Sequence, residues 1–187
     1  SVVCVDKLSE KIQALRLGKI PIFEPELEAL VNKNVEAGRL SFTDNLCDAV
    51  KGADAVFIAV GTPSRRGDGH ADLTFVFDVA REISLAMEKY TVIVTKSTVP
   101  VGTGDEDERI IRKESPGGEF DVVSNPEFLR EGSAVKDFLE PDRVIVGLED
   151  SFAEESLKEL FSPLLRSSSK YLKMSNLSAE MSKYASN

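Results

Sequence analysis

Five short runs of apolar and β-branched residues, separated by segments with helical spacing, constrain the fold of this chain more than any other feature. The runs are nearly continuous in apolar residues and do not alternate with polar ones. They occupy 1–6, 53–61, 91–97, 121–125 and 143–148. Strands buried on both faces of a parallel sheet have this composition. Because strands that alternate with helices form βαβ units, the sequence predicts an α/β fold with a doubly wound parallel sheet.

Three segments carry apolar residues at helical spacing and are predicted to be helices: 24–35, 73–88 and 152–165. In the second, Ala80 and Ile83 share one face, and Asp72 precedes the segment as a candidate N-cap. Further along, the polar segment 166–170 is the best candidate for a loose connection, and 177–187 has the pattern of another helix.

The balance of charged residues limits the functions that this chain can have. The 187 residues include 23 Lys and Arg against 32 Asp and Glu, which gives a net charge of −9. This balance argues against general binding to nucleic acid or to an anionic membrane, both of which need a basic face, although a local anion site stays open. No apolar run approaches the roughly 18–20 residues that span a bilayer, and the first residues lack the pattern of a signal peptide.

The cysteine and histidine content indicates a reducing compartment and argues against a metal-binding site. Cys4 and Cys47 occur without a CxxC motif, so we expect an intracellular protein of the cytoplasm. His70 is the only histidine, which leaves no histidine cluster, and we predict no metal site.

Small, polar and charged residues follow four of the predicted strands, at the ends where proteins with open parallel sheets bind ligands. They are Asp6 and Lys7, Gly61 to Pro63, Ser97 to Pro100, and Asn125 to Glu127. We expect them to converge on one edge of the sheet. Gly61 would let the backbone approach a ligand and Thr62 offers a hydroxyl, although a polar loop explains both equally well. The amides from Gly102 onward open a helix and predict an anion site.

Asp6 has the position of a ribose-binding acid in a dinucleotide fold, where such an acid ends the second strand. An Asp after a strand is also a common turn or cap residue. The glycine-rich fingerprint expected about 20 residues earlier is absent, because the chain begins at the strand that Asp6 follows. The dinucleotide interpretation therefore predicts a fold without its first strand and glycine-rich loop. That strand would lie between 1–6 and 53–61, so we expect an open slot there and a polypeptide that is unstable as an isolated monomer.

Two pairs of polar residues are spaced four apart. Glu127 and Glu131 would share a face only if a helical turn forms, and could then hold a water, raise each other's pKa and act as a base. The alternative is a pair of solvated charges. Lys183 and Asn187 could together bind a developing oxyanion, or form a surface pair.

Seven segments in this order resemble successive signatures of the UDP-glucose/GDP-mannose dehydrogenase family: VVCVDK, PIFEPELEALV, GRLSFTDNL, ADAVFIAVGTP, VTKSTVPVGTGD, SNPEFLREGSAVKDF and PDRVIVG. They cover most of residues 2–148. PDRVIVG and GTPSRRGDGHADL are more similar to the UDP-glucose 6-dehydrogenase branch than to the GDP-mannose branch. The final EMSKYASN is similar to the family segment that carries a catalytic lysine and asparagine.

The resemblance implies a function for the parent enzyme. The family oxidises a sugar CH2OH to a carboxylate in two NAD-dependent steps, through an aldehyde and a cysteine thioester that water hydrolyses. The residues implied for NAD are Asp6, Lys11, Gly61, Thr62, Thr98 and Glu131. Those implied for catalysis are Thr98, Glu127, Lys183 and Asn187. Those implied for the sugar nucleotide are Glu127, Phe128, Leu129, Arg130, Lys183 and Asn187.

Each catalytic residue has an implied role. Glu127 would be the base for the hydrolytic water, which Thr98 would help to hold. Lys183 and Asn187 would stabilise the oxyanion at the reacting carbon. Glu131 would lie beside the nicotinamide, and Asp6 with Lys11 beside the adenosine ribose.

The chain departs from the family pattern because neither cysteine matches the nucleophile: Cys4 lies in a predicted buried strand and Cys47 in a helical pattern. The resemblance thus implies the cofactor half of an enzyme that oxidises UDP-glucose to UDP-glucuronate for polysaccharide synthesis, inactive alone and homo-oligomeric in the parent. Residues 1–170 would form the NAD-binding Rossmann-like domain, and 171–187 a last strand and the start of a connecting helix. The alternatives are a GDP-mannose or other nucleotide-sugar dehydrogenase, and a non-catalytic nucleotide-binding or interaction domain.

Overall fold

A computed structural model describes residues 1–65, 67, 69–149, 151–165 and 170–186. The strands are β1 (Val2–Val5), β2 (Leu40–Thr43), β3 (Ala55–Ile58), β4 (Thr91–Thr95), β5 (Phe120–Ser124), β6 (Arg143–Gly147) and β7 (Lys170–Met174). The helices are α1 (Ser9–Arg16), α2 (Leu27–Glu36), α3 (Leu46–Val50), α4 (Thr74–Ala86), α5 (Thr103–Glu114), α6 (Ala134–Leu139), α7 (Ser151–Phe161) and α8 (Asn176–Ser186), with a 3-10 turn at Ser162–Leu164. The five predicted strands and three predicted helices all occur, with shifted ends. Of the candidate loose connection at 166–170, only Lys170 is described, and it begins β7.

The strands form a two-stranded sheet, β1-β2, and a five-stranded sheet in the order β3-β4-β5-β6-β7. The predicted α/β class is confirmed, because β1-β2, β3-β4-β5 and β6-β7 are all parallel. The prediction of a wholly parallel sheet is wrong for one pair of strands. β5 and β6 are antiparallel and pair at Ser124 and Gly147. The only helix between them, α6, has six residues. It rises about 9 Å, so no helix of this connection runs the length of a strand of about 17 Å.

Two layers of apolar side chains cover the five-stranded sheet. On one face Ile93 packs with residues of α4 and α5, and on the other Val92 and Val94 pack with residues of α7. Every residue of β4 is buried. The prediction of strands buried on both faces is therefore correct at the centre of this sheet.

The prediction of burial is wrong for β1, whose four residues are all exposed. Cys4, expected to be buried, is exposed as well. Among the described residues β1 pairs only with β2, and β3 pairs only with β4. An apolar strand is buried only where other residues cover it, and in the described part of the chain no strand besides β2 pairs with β1. The predicted slot between β1 and β3 stays a prediction.

Two further features concern the domain boundary and the membrane. β7 pairs with β6 along its whole length, so residues 170–174 belong to the larger sheet. The domain boundary proposed after residue 170 stays a prediction. In the described part of the chain, no helix has the length and apolar character needed to cross a bilayer.

We expect a polypeptide of residues 1–187, expressed alone, to self-associate through the free edges of β1 and β3. Val3 and Phe57 on these strands are 44% and 39% exposed, and an open apolar edge is a template for pairing with another chain. Sedimentation velocity measured up to about 100 µM should detect this association. Val3→Lys with Phe57→Lys should reduce it, because edge lysines oppose pairing.

Leu85→Lys is the control, since Leu85 is 69% exposed on α4 rather than on a strand edge. A polypeptide that stays monomeric over the whole concentration range would contradict the expectation.

Candidate active site

An ion pair between Glu127 and Lys183 lies beyond the carboxyl end of β5. Lys183, on α8, is only 7% exposed. Its Nζ donates to the backbone oxygen of Glu127 at 2.6 Å and to Glu127 Oε1 at 2.9 Å. The other carboxylate oxygen, Oε2, accepts the backbone N–H of Leu129 at 2.6 Å. The structure thus brings together two catalytic candidates that are 56 residues apart in the sequence.

The strand end that carries Glu127 is fixed by Asn125, which is 1% exposed. The Asn125 amide nitrogen donates to the Ile145 carbonyl at 2.7 Å, and its amide oxygen accepts from Lys96 Nζ at 3.0 Å. Pro126 follows, which keeps the backbone of Asn125 extended. Sequence reasoning missed Lys96 as a site residue, although it directly follows β4 and so satisfies the rule that selected Ser97.

The charges around Glu127 keep it ionised. Burial raises the pKa of Glu127, but the hydrogen bonds from Leu129 and Lys183 and the charges of Lys183 and Lys96 outweigh burial and bring this pKa below its ordinary value. Burial lowers the pKa of Lys96 to about 8, with Glu127 acting to raise it and Lys183 to lower it.

Of the two interpretations of Glu127 and Glu131, the structure excludes the one in which they share a helical face. No helical turn joins the two residues, and Glu131 is exposed in a turn before α6. Glu127 pairs instead with Lys183, and the hydrogen bonds from Leu129 and Lys183 lower its pKa.

A cleft of about 380 Å3 opens beside Glu127, with Phe128, Leu129 and Arg130 among its lining residues. The Arg143 guanidinium lies 4.7 Å from the centre of the Phe128 ring. Arg130 donates through NH2 to Asp137 Oδ1 at 2.7 Å and through Nε to Oδ2 at 3.1 Å, so its orientation is set by that carboxylate. The substrate roles of these residues stay predictions.

Of the residues predicted for the cofactor, Asp6, Gly61, Thr62 and Thr98 follow strands, while Lys11 lies on α1 and Glu131 in the turn before α6. The Asp6 carboxylate accepts the Leu8 N–H at 3.0 Å and a hydrogen bond from Lys11. That side-chain bond is the main reason why the pKa of Asp6 is lowered. Lys7 places its ammonium 4.5 Å from the ring centre of Phe75 at the start of α4, so the end of β1 lies beside the first helix of the larger sheet.

The loop after β3 leaves room for a ligand. A Cβ added to Gly61 would meet no atom within 4 Å, and Thr62 Oγ1 donates to the Thr98 carbonyl at 2.8 Å. An ionised acid at the end of a strand is the group that binds the ribose hydroxyls of a dinucleotide. The predicted contact between Asn187 and a ligand lies outside the described residues.

The predicted anion site at the start of α5 is corrected by the structure, because an internal carboxylate fills it. Glu180 Oε2 accepts the Gly102 N–H at 2.6 Å, and Oε1 accepts the Gly104 N–H at 2.8 Å. A dinucleotide phosphate therefore has no access to these amides. Nothing near Glu180 in the sequence signals the contact, since the partners are 76 and 78 residues away.

A second unforeseen acid, Glu24, connects the loop before α2 to the turn that contains Glu131. Its carboxylate accepts the N–H of Gly132 at 2.8 Å and of Ala134 at 2.7 Å, across more than 100 residues. Glu24 thereby caps the first turn of α6.

Behind the site, Asp107 of α5 is completely buried. Thr95 Oγ1 donates to Asp107 Oδ2 at 3.2 Å, while Oδ1 has no hydrogen-bond partner in the described part of the chain. Burial raises the pKa of Asp107 to about 7. The folded protein therefore keeps a proton that the unfolded chain releases at much lower pH.

We expect Asp107→Asn to stabilise the protein at pH 8 and not at pH 4. Because the pKa of Asp107 is about 7 when folded, its contribution to stability falls as pH rises from about 4 to 7 and is level above that. The variant should gain roughly 1–3 kcal/mol at pH 8. Chemical denaturation at the two pH values measures this gain, with the exposed neighbour Asp105→Asn as a control that should show none. An equal effect of Asp107→Asn at both pH values would contradict the assignment.

Comparison with known proteins gives the relatives of the chain. Residues 1–165 match the NAD-binding domain of the UDP-glucose/GDP-mannose dehydrogenase family, in agreement with the family that the motifs resemble and with the predicted cofactor, NAD. A UDP-glucose 6-dehydrogenase of Rhizobium meliloti is 56% identical over 100% of this chain and 43% of its own length. A UDP-glucose 6-dehydrogenase of Pseudomonas aeruginosa is 45% identical over 100% of this chain and 42% of its own.

Solved structures give the same result. A UDP-glucose dehydrogenase from Pyrobaculum islandicum superimposes with a TM-score of 0.93 at 41% identity, over 99% of this chain and 43% of that one. A ternary complex of GDP-mannose dehydrogenase from Pseudomonas aeruginosa superimposes with a TM-score of 0.92 at 37% identity, over 98% and 43%. The chain thus spans less than half the length of these relatives.

Proposed function

The chain belongs to the UDP-glucose/GDP-mannose dehydrogenase family, and from that premise we propose that it is the NAD-binding part of a UDP-glucose 6-dehydrogenase. The whole enzyme would oxidise UDP-glucose to UDP-glucuronate in two steps. The observation that carries the proposal is the contact of Lys183 with Glu127, which puts an ammonium and an ionised carboxylate together at the edge of a cleft.

NAD supplies the hydride acceptor for both oxidations when it is bound. Asp6 would hold the adenosine ribose by accepting hydrogen bonds from its hydroxyls. Lys11, already bound to Asp6, would fix the orientation of that carboxylate. Gly61 and Thr62 would leave space for the cofactor along the strand ends, and Glu131 would lie near the nicotinamide.

Hydrolysis of the thioester is the step in which Glu127 would act. Water adds through its oxygen to the acyl carbon, its proton passes to the Glu127 carboxylate, and the carbon–sulfur bond then breaks to release the sugar acid. Lys183 would donate hydrogen bonds to the oxyanion that forms on the acyl carbon. Thr98 would help to hold the water, and Asn187 would assist Lys183.

The thiol for this thioester is not expected among these 187 residues. Cys4 lies on β1 and Cys47 on α3, and neither is among the residues that line the cleft beside Glu127. The proposal therefore requires a cysteine from the part of the enzyme that these residues do not include, and activity only in the whole enzyme.

UDP-glucose is proposed as substrate rather than GDP-mannose because the relatives that cover this whole chain at 56% and 45% identity are UDP-glucose 6-dehydrogenases. A cytoplasmic location and a homo-oligomeric enzyme remain part of the proposal. The test is NADH formation by the full-length protein with UDP-glucose, GDP-mannose and other nucleotide sugars. Faster turnover of GDP-mannose would reject the assigned substrate.

We expect Glu127→Gln in the full-length enzyme to slow thioester hydrolysis by roughly 10²–10⁴-fold, the usual effect of removing a general base. The first oxidation should change far less, because it needs no activated water. The NH2 group of the variant opposes the Leu129 N–H, but Lys183 keeps the backbone oxygen of residue 127 and can still donate to the amide oxygen. Rapid-quench experiments with mass spectrometry should then detect an accumulating covalent intermediate.

Glu119→Gln, an exposed carboxylate away from the cleft, serves as the control and should leave both steps unchanged. Equal slowing of both oxidations in Glu127→Gln, with no intermediate, would remove Glu127 from the role of base.

We expect Asp6→Asn to weaken NAD binding and to reduce the preference for NAD over NADP by about tenfold, since it removes a negative charge that repels a 2′-phosphate. The ratio of kcat/KM for the two cofactors measures this preference. Asp48→Asn, a nearby exposed carboxylate on α3, should leave the ratio unchanged. A wild-type enzyme that prefers NADP would show that Asp6 does not bind the adenosine ribose as proposed.

A further inference from the structure

Glu180 is a buried carboxylate that the proposed chemistry does not use. It lies on α8, one helical turn before Lys183, and is 3% exposed. Both of its oxygens accept backbone N–H groups from the first turn of α5, those of Gly102 and Gly104. A charge is buried in this way only where its hydrogen bonds compensate for the loss of water.

Three residues on one face of α8 attach this helix to the rest of the domain. Asn176 accepts the Ser124 N–H at 2.9 Å and donates to the Val122 carbonyl at 3.0 Å, which ties the start of the helix to β5. Glu180, four residues later, binds α5. Lys183, three residues further, binds Glu127. Residues at this spacing lie on one side of a helix, so the three contacts fix its rotation about its axis.

The backbone around α8 admits this close packing only through glycine. A Cβ on Gly104 would come 3.3 Å from Glu180 Oε1. A Cβ on Gly147 would come 2.6 Å from the Ala179 Cβ. The helix therefore rests directly on the backbone of β6 and of α5, and Glu180 has little room for another side-chain conformation.

The segment before α5 contains the other side of the proposed site. Thr98 lies four residues before Gly102, and its carbonyl accepts from Thr62. Glu180 therefore connects the segment of Thr98 to the helix that carries Lys183.

We propose that Glu180 is a positioning residue. By binding the amides of Gly102 and Gly104, it holds Lys183 against Glu127 and fixes α8 relative to the segment that carries Thr98. The inference rests on the proposed function for its effect on catalysis, but the placement of Lys183 can be measured independently. Burial raises the pKa of Glu180 above its ordinary value, and the hydrogen bonds from the two amides offset only part of that rise. The other acids that face it are Asp105 and Asp107.

The test compares Glu180→Gln with the wild type in the full-length enzyme. Glutamine has the same size, but its carbonyl accepts from only one amide while its NH2 group opposes the other. We expect kcat with UDP-glucose to fall by about tenfold or more, since a small displacement of a catalytic group has effects of this size. KM for NAD should change by less than about threefold, because Thr98 alone of the residues proposed for NAD lies on the segment before α5 that Glu180 binds.

A second measurement follows Lys183 without turnover. Trace acetylation with acetic anhydride, quantified by peptide mass spectrometry against the exposed Lys113, reports how accessible the Lys183 amine is. We expect its labelling rate to rise by about fivefold in Glu180→Gln, because the amine is no longer held against Glu127.

Two controls separate positioning from general effects. Met181→Ala changes the next residue, which is 54% exposed, and should alter neither readout. Leu157→Ala removes buried apolar contacts on α7, so it should lower the melting temperature while Lys183 labelling and kcat, measured well below that temperature, stay unchanged.

The outcomes decide between the proposals. Unchanged Lys183 labelling in Glu180→Gln would overturn the positioning role, whatever happens to kcat. Increased labelling in a protein that does not oxidise UDP-glucose would support the placement of Lys183 and reject the proposed function. If Glu180→Gln does not fold, the same measurements on Glu180→Asp, whose carboxylate is one methylene shorter, decide in the same way.

Discussion

The buried ammonium of Lys183 is the constraint on which the arrangement of the site depends. A lysine that is 7% exposed is strongly destabilising unless its charge is compensated, and removal of the partner from a buried ion pair typically costs about 3–5 kcal/mol. The Glu127 carboxylate and backbone oxygen provide that compensation. To reach them, α8 must lie across the ends of β5 and β6, where Gly147 leaves space for it. Together with the contacts of Asn176 and Glu180, this charge therefore determines where the helix lies against the turn at Glu127 and the cleft beside it.

In the two-stranded sheet, by contrast, β1 has few residues packed against it and is not buried. β1 carries Asp6, the residue proposed for ribose binding, yet all four residues of the strand are exposed. Its link to the larger sheet includes the contact of Lys7 with Phe75 rather than strand pairing. Asp6 is therefore held by fewer buried contacts than Glu127 and Lys183.

The sequence predicted most of what depends on local pattern. The buried strand β4, with its unbroken TVIVT, and the amphipathic helix α4 were foreseen because their composition determines their structure. β2 was missed because LSFT is short and half polar, and only its pairing with β1 makes it a strand. The contacts of Glu180 and Glu24 were also missed, because each joins residues 76 to 110 positions apart. Burial of β1 was wrongly predicted because burial is a property of the neighbours and not of the strand itself.

The same ion pair that organises the site also limits Glu127 as a base. A carboxylate whose pKa is lowered by Lys183 accepts a proton from water less readily than an isolated one. Under the proposed mechanism, however, Lys183 has a second acceptor, the oxyanion that forms when water adds to the acyl carbon. As Lys183 turns its hydrogen bonds to that oxygen, Glu127 loses one of the interactions that lower its pKa and becomes a stronger base. The basicity of Glu127 and the stabilisation of the oxyanion would therefore increase together, which is why one lysine placed between the two groups serves both.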